Sequence, residues 1–295
     1  VDLVIKNTSE NIFPKINWVN NFKSSTHGLT HHTFSSKSMK KEIGYEIYIP
    51  ENYKINLKSN TAEEERFPVI YWLHGKGGDE STGINLKIPQ IFHNAIKEGK
   101  ISPAIMVFIN CGNYSMFCDS YDNSVMGETI FIKELIPIID AKFKTIDSAK
   151  GRALEGFSMG GFGAIKIAFK FPKLFSSVVS YAGSFHDLES LKNNRPEVFK
   201  VIFSSNASYF QQNSPYILAE KNQKLIKNNI KLKFLNGSLD FTLKNNYKLN
   251  ARLDGLQIKY KFKVLENFKH IPEPYYEDEG LNGFKFHSDN FKFQY

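Results

Sequence analysis

Ser158 stands at the centre of Gly156-Phe157-Ser158-Met159-Gly160, between the apolar climb Arg152-Ala153-Leu154-Glu155 and the helical pattern Ala164-Ile165-Lys166-Ile167-Ala168-Phe169. Gly-x-Ser-x-Gly at a strand-to-helix junction is a nucleophile elbow. Lifting a hydroxyl to the crest of so sharp a turn needs a strained backbone at the serine, and glycines two residues to either side keep Cβ atoms out of the crowded space. The helix that follows aims its free N–H groups and its positive dipole end at the same spot, which suits a developing oxyanion. A serine is a weak nucleophile at neutral pH, so the chemistry also requires a base to take its proton and an acid to orient that base.

Two residues further along the chain fit those roles. Asp240 follows the alternating run Ile230-Lys231-Leu232-Lys233-Phe234-Leu235-Asn236-Gly237, and His270 lies just past the strand expected over 257–265. Both therefore leave strand ends, in the chain order Ser, Asp, His that α/β-hydrolases use. His270 would accept the serine proton and return it to the leaving group, and Asp240 would hold the imidazole and stabilise its cation. Each has a plainer reading: Asp240 could cap the helix expected from Thr242 to Leu253, and His270 could be a loop residue before Pro272. Asp254 is a rival acid that sits late in a helix, and His287 is a rival base with no preceding strand.

The near-continuous apolar run Phe67-Pro68-Val69-Ile70-Tyr71-Trp72-Leu73 reads as a strand buried on both faces. It ends in His74-Gly75-Lys76-Gly77-Gly78, without the Gly-x-x-x-x-Gly-Lys-Ser/Thr spacing of a nucleotide loop. The alternative is an oxyanion loop, in which the N–H of Lys76 joins the N–H of Met159. His74 would brace that loop or touch substrate. Asn110, at the exit of the strand expected over Pro103 to Ile109, and His186, at the exit of the strand expected over Phe175 to Tyr181, are two further substrate-contact candidates, because open α/β sheets bind ligands at that edge. The loop from Asn110 to Asp122 is expected to form a pocket wall for the same reason.

Strands alternating with helices from Phe67 to Leu265 argue an α/β chain with a mostly parallel sheet covered by helices on both faces. Helices are expected over Ile88 to Lys97 and Glu128 to Phe143, and Glu42 to Pro50 reads as a half-exposed antiparallel strand near a sheet edge. Residues 187–228 look helical in pieces, as a small cap insertion would. Residues 1–40 read as polar and irregular, with the adjacent His31 and His32 as surface or packing residues, and residues 51–66 as a charged loop. The tail from 271 to 295 has no assignment. No linker divides the 295 residues, so a single domain over 1–295 is expected.

Composition narrows the function. The net charge is +8, from 38 basic and 30 acidic residues, but the lysines are scattered and no nucleic-acid motif is present, so no nucleic-acid partner is expected. The lysines are locally dense only at 37–41 and 259–263. No apolar run approaches the ~20 residues that cross a bilayer. Cys111 and Cys118 cannot close a zinc site by themselves, and they read as free thiols or, if the protein is exported, a local disulfide. The chain opens on Val1 rather than methionine, so its compartment is not read from that end.

The pieces Gly44-Tyr45-Glu46-Ile47-Tyr48-Ile49-Pro50, Tyr71-Trp72-Leu73-His74-Gly75-Lys76-Gly77-Gly78, Glu134-Leu135-Ile136-Pro137-Ile138-Ile139-Asp140 and Gly156-Phe157-Ser158-Met159-Gly160-Gly161, with Asp240 and His270, resemble the esterase-D-like branch of the α/β-hydrolases. That branch includes S-formylglutathione hydrolases, feruloyl and acetyl xylan esterases, siderophore esterases and mycolyltransferases. The resemblance covers about residues 27–270. It implies an α/β-hydrolase fold and a serine carboxylic-ester hydrolase that takes a small-molecule ester and works without metal or organic cofactor. It also implies oxyanion donors at Met159 and Lys76. Phe157 departs from the histidine usual in the formylglutathione enzymes, and Ile271-Pro272 departs from the aromatic-rich helix start usual after the histidine. Short acyl or aryl esters are the expected substrates. Acyl transfer and thioester hydrolysis share the scaffold, and a binding module without catalysis is the reading from a different class.

Overall fold

The computed structural model describes residues 13–20, 24–56 and 66–292. Eight strands form one sheet: β1 (Leu29–Ser36), β2 (Lys41–Tyr48), β3 (Val69–Leu73), β4 (Ile105–Ile109), β5 (Arg152–Phe157), β6 (Ser177–Tyr181), β7 (Lys231–Gly237) and β8 (Lys261–Leu265). Their spatial order is β1-β2-β4-β3-β5-β6-β7-β8. The first two pairings, β1 with β2 and β2 with β4, are antiparallel, and the rest are parallel. The expected mostly parallel sheet is therefore present, and β3 and β4, wholly apolar and wholly buried, read as strands covered on both faces.

Parallel strands cannot be joined by tight turns, so each connection from β3 to β8 crosses over through a helix, and the C-termini of those six strands open on one edge. Ser158 follows β5, the loop with Lys76 follows β3, Asp240 follows β7 and His270 follows β8. The helix Ile88–Lys97 has the expected bounds. The helix expected over 128–143 runs as Gly127–Thr129 and Ile136–Lys142 around a π-helical stretch, Ile130–Leu135. Pro137 has no N–H to offer the preceding turn, and the wider hydrogen-bond spacing lies directly before it.

Three expectations need correction. Residues 29–36 are not irregular but form β1, an edge strand whose polar side chains, His31 and His32 among them, hide the usual alternation; backbone pairing to β2 makes it a strand. The strand over 42–50 is β2, one place in from the edge, and it is buried from Ile43 to Tyr48 rather than half-exposed, since β1 occupies the edge position. Residues 51–56 of the expected charged loop are a short helix, while 57–65 lie outside the described residues.

The unassigned tail is a helix, Pro272–Lys292. Tyr276 in its first turns accepts a hydrogen bond at 2.8 Å from the Trp72 indole of β3, and His287 Nδ1 is hydrogen-bonded at 2.7 Å to the Ser177 hydroxyl of β6. The helix thereby lies across the centre of the sheet. Its start, directly after His270, fixes where the histidine loop must end.

Burial of Glu46 on β2 has a consequence for stability. Removal from water and the charge of Glu80 push its carboxyl up to about 7. A raised carboxyl means that the folded chain holds more protons than the unfolded chain between the ordinary carboxyl range and about 7, so stability falls as pH rises through that window. Glu46→Gln is expected to stabilise the protein by about 1–3 kcal/mol near pH 8 and to change little below pH ~5, as urea midpoints at the two pH values would register.

Candidate active site

Ser158 takes φ +58° and ψ −114°, a left-handed conformation that few non-glycine residues adopt and that costs about 1–3 kcal/mol. Neighbouring backbone offsets the strain. The Ser158 N–H donates to Tyr181 O at 2.9 Å, and its carbonyl accepts from Phe162 N at 3.0 Å and Ser184 N at 3.1 Å. The helix Met159–Lys170 then begins at once and is buried along nearly its whole length. It packs so tightly on β3 that a Cβ on Gly160 would lie 1.9 Å from Leu73 O.

The three chemistry-bearing side chains meet. His270 Nε2 lies 2.8 Å from Ser158 Oγ, and His270 Nδ1 lies 2.9 Å from both carboxylate oxygens of Asp240. A carboxylate can only accept, so the ring proton sits on Nδ1, and Nε2 is left to accept from the serine hydroxyl. Asp240 also accepts from Thr242 N at 2.9 Å, Thr242 Oγ1 at 2.7 Å and the Tyr275 hydroxyl at 2.9 Å. Burial by itself would raise the Asp240 carboxyl, but the hydrogen bonds from His270 and Thr242 outweigh it and hold the group below the ordinary range. The carboxylate therefore stays charged beside the imidazole.

Through the Thr242 amide Asp240 also serves the start of the helix Leu243–Gly255, so the capping contact and the contact to His270 are made by the same carboxylate. The rivals are elsewhere. Asp254 bonds the Tyr260 hydroxyl on the surface, and His287 is buried beside Glu155 and Ser177 under the C-terminal helix.

Two residues that line the cavity carry backbone amides with no hydrogen-bond partner among the described residues. Met159 is the first residue of its helix, so its N–H has no intrahelical acceptor. The Lys76 N–H donates to no group among the described residues, while its neighbours are pinned: Gly77 N donates to Asn113 O at 2.7 Å and Gly78 N to Gly75 O at 3.1 Å. Gly75 brings this loop against the elbow, with the place of a Cβ 3.8 Å from Ser158 Cβ.

A cavity of about 370 Å³ opens over Ser158, with Trp72, Tyr114, Met116, Phe157 and Phe241 among its apolar walls and Lys76, His186 and Arg195 among its polar ones. Tyr114 and Met116 belong to the loop over 110–122, the expected wall. That loop is tied to the elbow helix by buried Lys166, which donates to Phe117 O at 2.8 Å and pairs with Glu128. Leu191, Arg195 and Val198 enter from the helices Leu188–Asn194 and Pro196–Val201 and the junction between them.

Of the three substrate-contact candidates, only His186 lines the cavity. Burial and the nearby Arg195 charge push its imidazole down to about 4, so it is neutral at physiological pH. His74 is fully buried, donates Nδ1–H to Gly75 O at 2.9 Å and packs on Phe117, which makes it a brace for the loop. Asn110 is also fully buried; its amide donates to Asn17 O at 2.9 Å and to Glu80 at 2.7 Å, so it anchors the N-terminal segment instead of facing a ligand. Both strands end at the site edge, but these two side chains turn back into the protein. Cys111 and Cys118 are free and buried, and burial raises both thiols, so neither is a reactive thiolate.

Sequence reasoning passed over Phe241, Arg195, Thr242 and Tyr275. Thr242 and Phe241 could have been found from their places next to Asp240. Nothing in the pattern around Arg195 or Tyr275 signals the site, because both arrive from elements packed over it. Among the described residues no cluster of three or more His, Cys, Asp or Glu side chains could hold a metal ion. No described helix is long and apolar enough to cross a membrane.

The Esterase family model matches residues 36–263, more than half of the chain. The chain belongs to the Esterase family. The chain is 33% identical over 178 residues, 58% of its length, to an endo-1,4-beta-xylanase/feruloyl esterase of Xylanibacter ruminicola. That match spans only 23% of the relative. Among solved structures, a ferulic acid esterase superposes with a TM-score of 0.75 at 20% identity, covering 89% of this chain and 98% of that one. An S-formylglutathione hydrolase from Staphylococcus aureus gives 0.73 at 19% identity, covering 88% and 98%. At such identities the likeness is one of fold, and the fold of the chain is that of the α/β-hydrolases.

Proposed function

We propose that this protein hydrolyses small carboxylic esters with a short acyl or an aryl group through an acyl-enzyme on Ser158. The observation that carries the reading is the continuous relay from Asp240 through His270 to Ser158, with every link at 2.8 or 2.9 Å. As Ser158 Oγ attacks the ester carbonyl, its proton passes to His270 Nε2, and the carbonyl π pair moves onto oxygen. The Met159 and Lys76 amides hold that oxyanion. When the tetrahedral species collapses, the carbon–alcohol oxygen bond breaks, and His270 gives its proton to the departing oxygen. Water then repeats the sequence on the acyl-serine, releasing the acid and restoring the hydroxyl. Asp240 stays ionised throughout and holds the imidazolium in register.

The aromatic walls Tyr114, Phe157 and Phe241 support the aryl-ester part of the reading, as does the solved neighbour named ferulic acid esterase. The helices between β6 and β7 act as a cap within the single domain, a reading supported by Leu191 and Val198, which line the cavity from them. A chromogenic aryl acetate is expected to give a burst equal to the enzyme concentration, and a fluorophosphonate probe is expected to add its mass to Ser158 alone. No turnover of the ester together with no labelling at Ser158 would leave the binding-module reading in its place.

A further inference from the structure

We propose that Arg195 selects esters whose leaving alcohol carries an anionic group, held at the cap side of the cavity about one aromatic ring away from the scissile oxygen. The inference rests on the ester-hydrolase reading and adds a substrate class to it.

The chain has four arginines. Arg152 pairs with Asp140, Arg252 pairs with Glu220, and Arg66 donates to Thr145 O at 3.1 Å. Arg195, the one arginine of the four that lines the cavity, has no carboxylate within ion-pair distance among the described residues. Its guanidinium donates only to the carbonyl of Asn194, at 2.9 Å.

The acids around it are already engaged. Glu197 lies 3.9 Å from Lys76, the other basic side chain of the cavity, Asp187 is paired with Lys248, and Asp240 is hydrogen-bonded to His270. His186 adds no charge, being neutral at working pH, and the Arg195 charge is one cause of that. The Arg195 cation is therefore left without a carboxylate partner in a cavity walled largely by aromatic and aliphatic groups, free to make a charge-assisted hydrogen bond to an anion.

Position assigns the charge to the leaving group. His270 must protonate the departing oxygen, so the alcohol lies on the His270 side of the tetrahedral carbon. The Phe241 ring sits 4.3 Å from the His270 ring, and the Arg195 guanidinium carbon sits 5.8 Å from the Phe241 ring centre. The path from the proton donor to the unpaired cation thus runs along an exposed aromatic surface, which a flat spacer on the alcohol would cover. The cation is also well placed from behind. Arg195 joins the helices Leu188–Asn194 and Pro196–Val201, its N–H bonds Leu191 O, and its carbonyl accepts from Val198 and Phe199. Its backbone is held before any ligand arrives.

The test is a matched pair, 4-acetoxybenzoate and its neutral analogue 4-acetoxybenzamide, assayed with the native chain and with Arg195→Gln. The native protein is expected to favour the carboxylate by about tenfold or more in kcat/KM relative to the variant's ratio, a preference carried in KM and reduced by added salt. The benzamide is assayed with each protein as its own reference, so that a general loss of folded, active enzyme in Arg195→Gln lowers both esters alike and cancels from the ratio. Comparing ratios between the two proteins cancels the difference in leaving-group electronics. If both esters are turned over and the ratio is the same in native protein and variant, Arg195 does not read the anion and the inference falls, while the hydrolase reading stands. If neither ester is turned over by the native protein, both fall. A gain seen instead for monomethyl terephthalate, whose carboxylate is on the acyl side, overturns the placement.

Discussion

Asp240→Asn is expected to lower kcat about 10⁴-fold with little change in KM, and Ser158→Ala to lower it by at least as much. The carboxylate of Asp240 accepts from His270 Nδ1, from the amide and hydroxyl of Thr242, and from the Tyr275 hydroxyl. Four donors converge on two oxygens. An asparagine offers one oxygen and one NH₂, so at least one of those donors must face another donor. If the NH₂ takes the place beside His270, the ring proton moves to Nε2, and the imidazole can no longer accept from Ser158 Oγ. The variant should therefore remain folded, with a thermal midpoint near that of the native chain, while the aryl acetate burst and the fluorophosphonate reaction slow together. A variant that keeps more than about a hundredth of native kcat would remove Asp240 from the relay.

Gly160→Ala is expected to destabilise the protein by about 3 kcal/mol or more, a fall of roughly 6–12 °C in thermal midpoint. The added methyl would lie 1.9 Å from Leu73 O, 2.6 Å from Leu73 C and 2.9 Å from His74 O, all backbone atoms at the end of β3. A flexible side chain could swing away, but this neighbour is a central strand pinned on both sides by β4 and β5. Either the elbow helix lifts or the strand end shifts. Both moves separate the Met159 amide from the Lys76 amide, so activity should fall beyond what lost stability explains. Gly255→Ala is the control: no atom lies within 4 Å of the new methyl, at the last residue of a helix, and it is expected to be neutral or slightly stabilising. Equal midpoints for the two variants by differential scanning calorimetry would refute the packing argument.

The two glycines around Ser158, the apolar runs of β3 and β5, and the strand-end positions of Asp240 and His270 are all visible along the chain, because each is set by local geometry. A strained turn needs glycine, a strand covered on two faces needs continuous apolar residues, and a side chain just past a parallel strand must emerge at one edge of the sheet. For that reason the order of the elements and the three converging side chains were legible. β1 was not, since an edge strand with polar side chains owes its existence to the hydrogen bonds of β2. His74 and Asn110 were legible as residues at the site edge but not in the direction of their side chains, which the buried partners Phe117, Asn17 and Glu80 decide.

By itself, then, the sequence determined the sheet, the elbow and the chemistry available at its crest. Only the tertiary structure decided how the site is walled and charged. Tyr275 comes to Asp240 from a helix that follows the last strand, and Arg195 comes to the cavity from between two short helices lying between β6 and β7. These contacts depend on how elements far apart in the chain pack over a common edge, and packing of that kind leaves no period or spacing in the residues that take part.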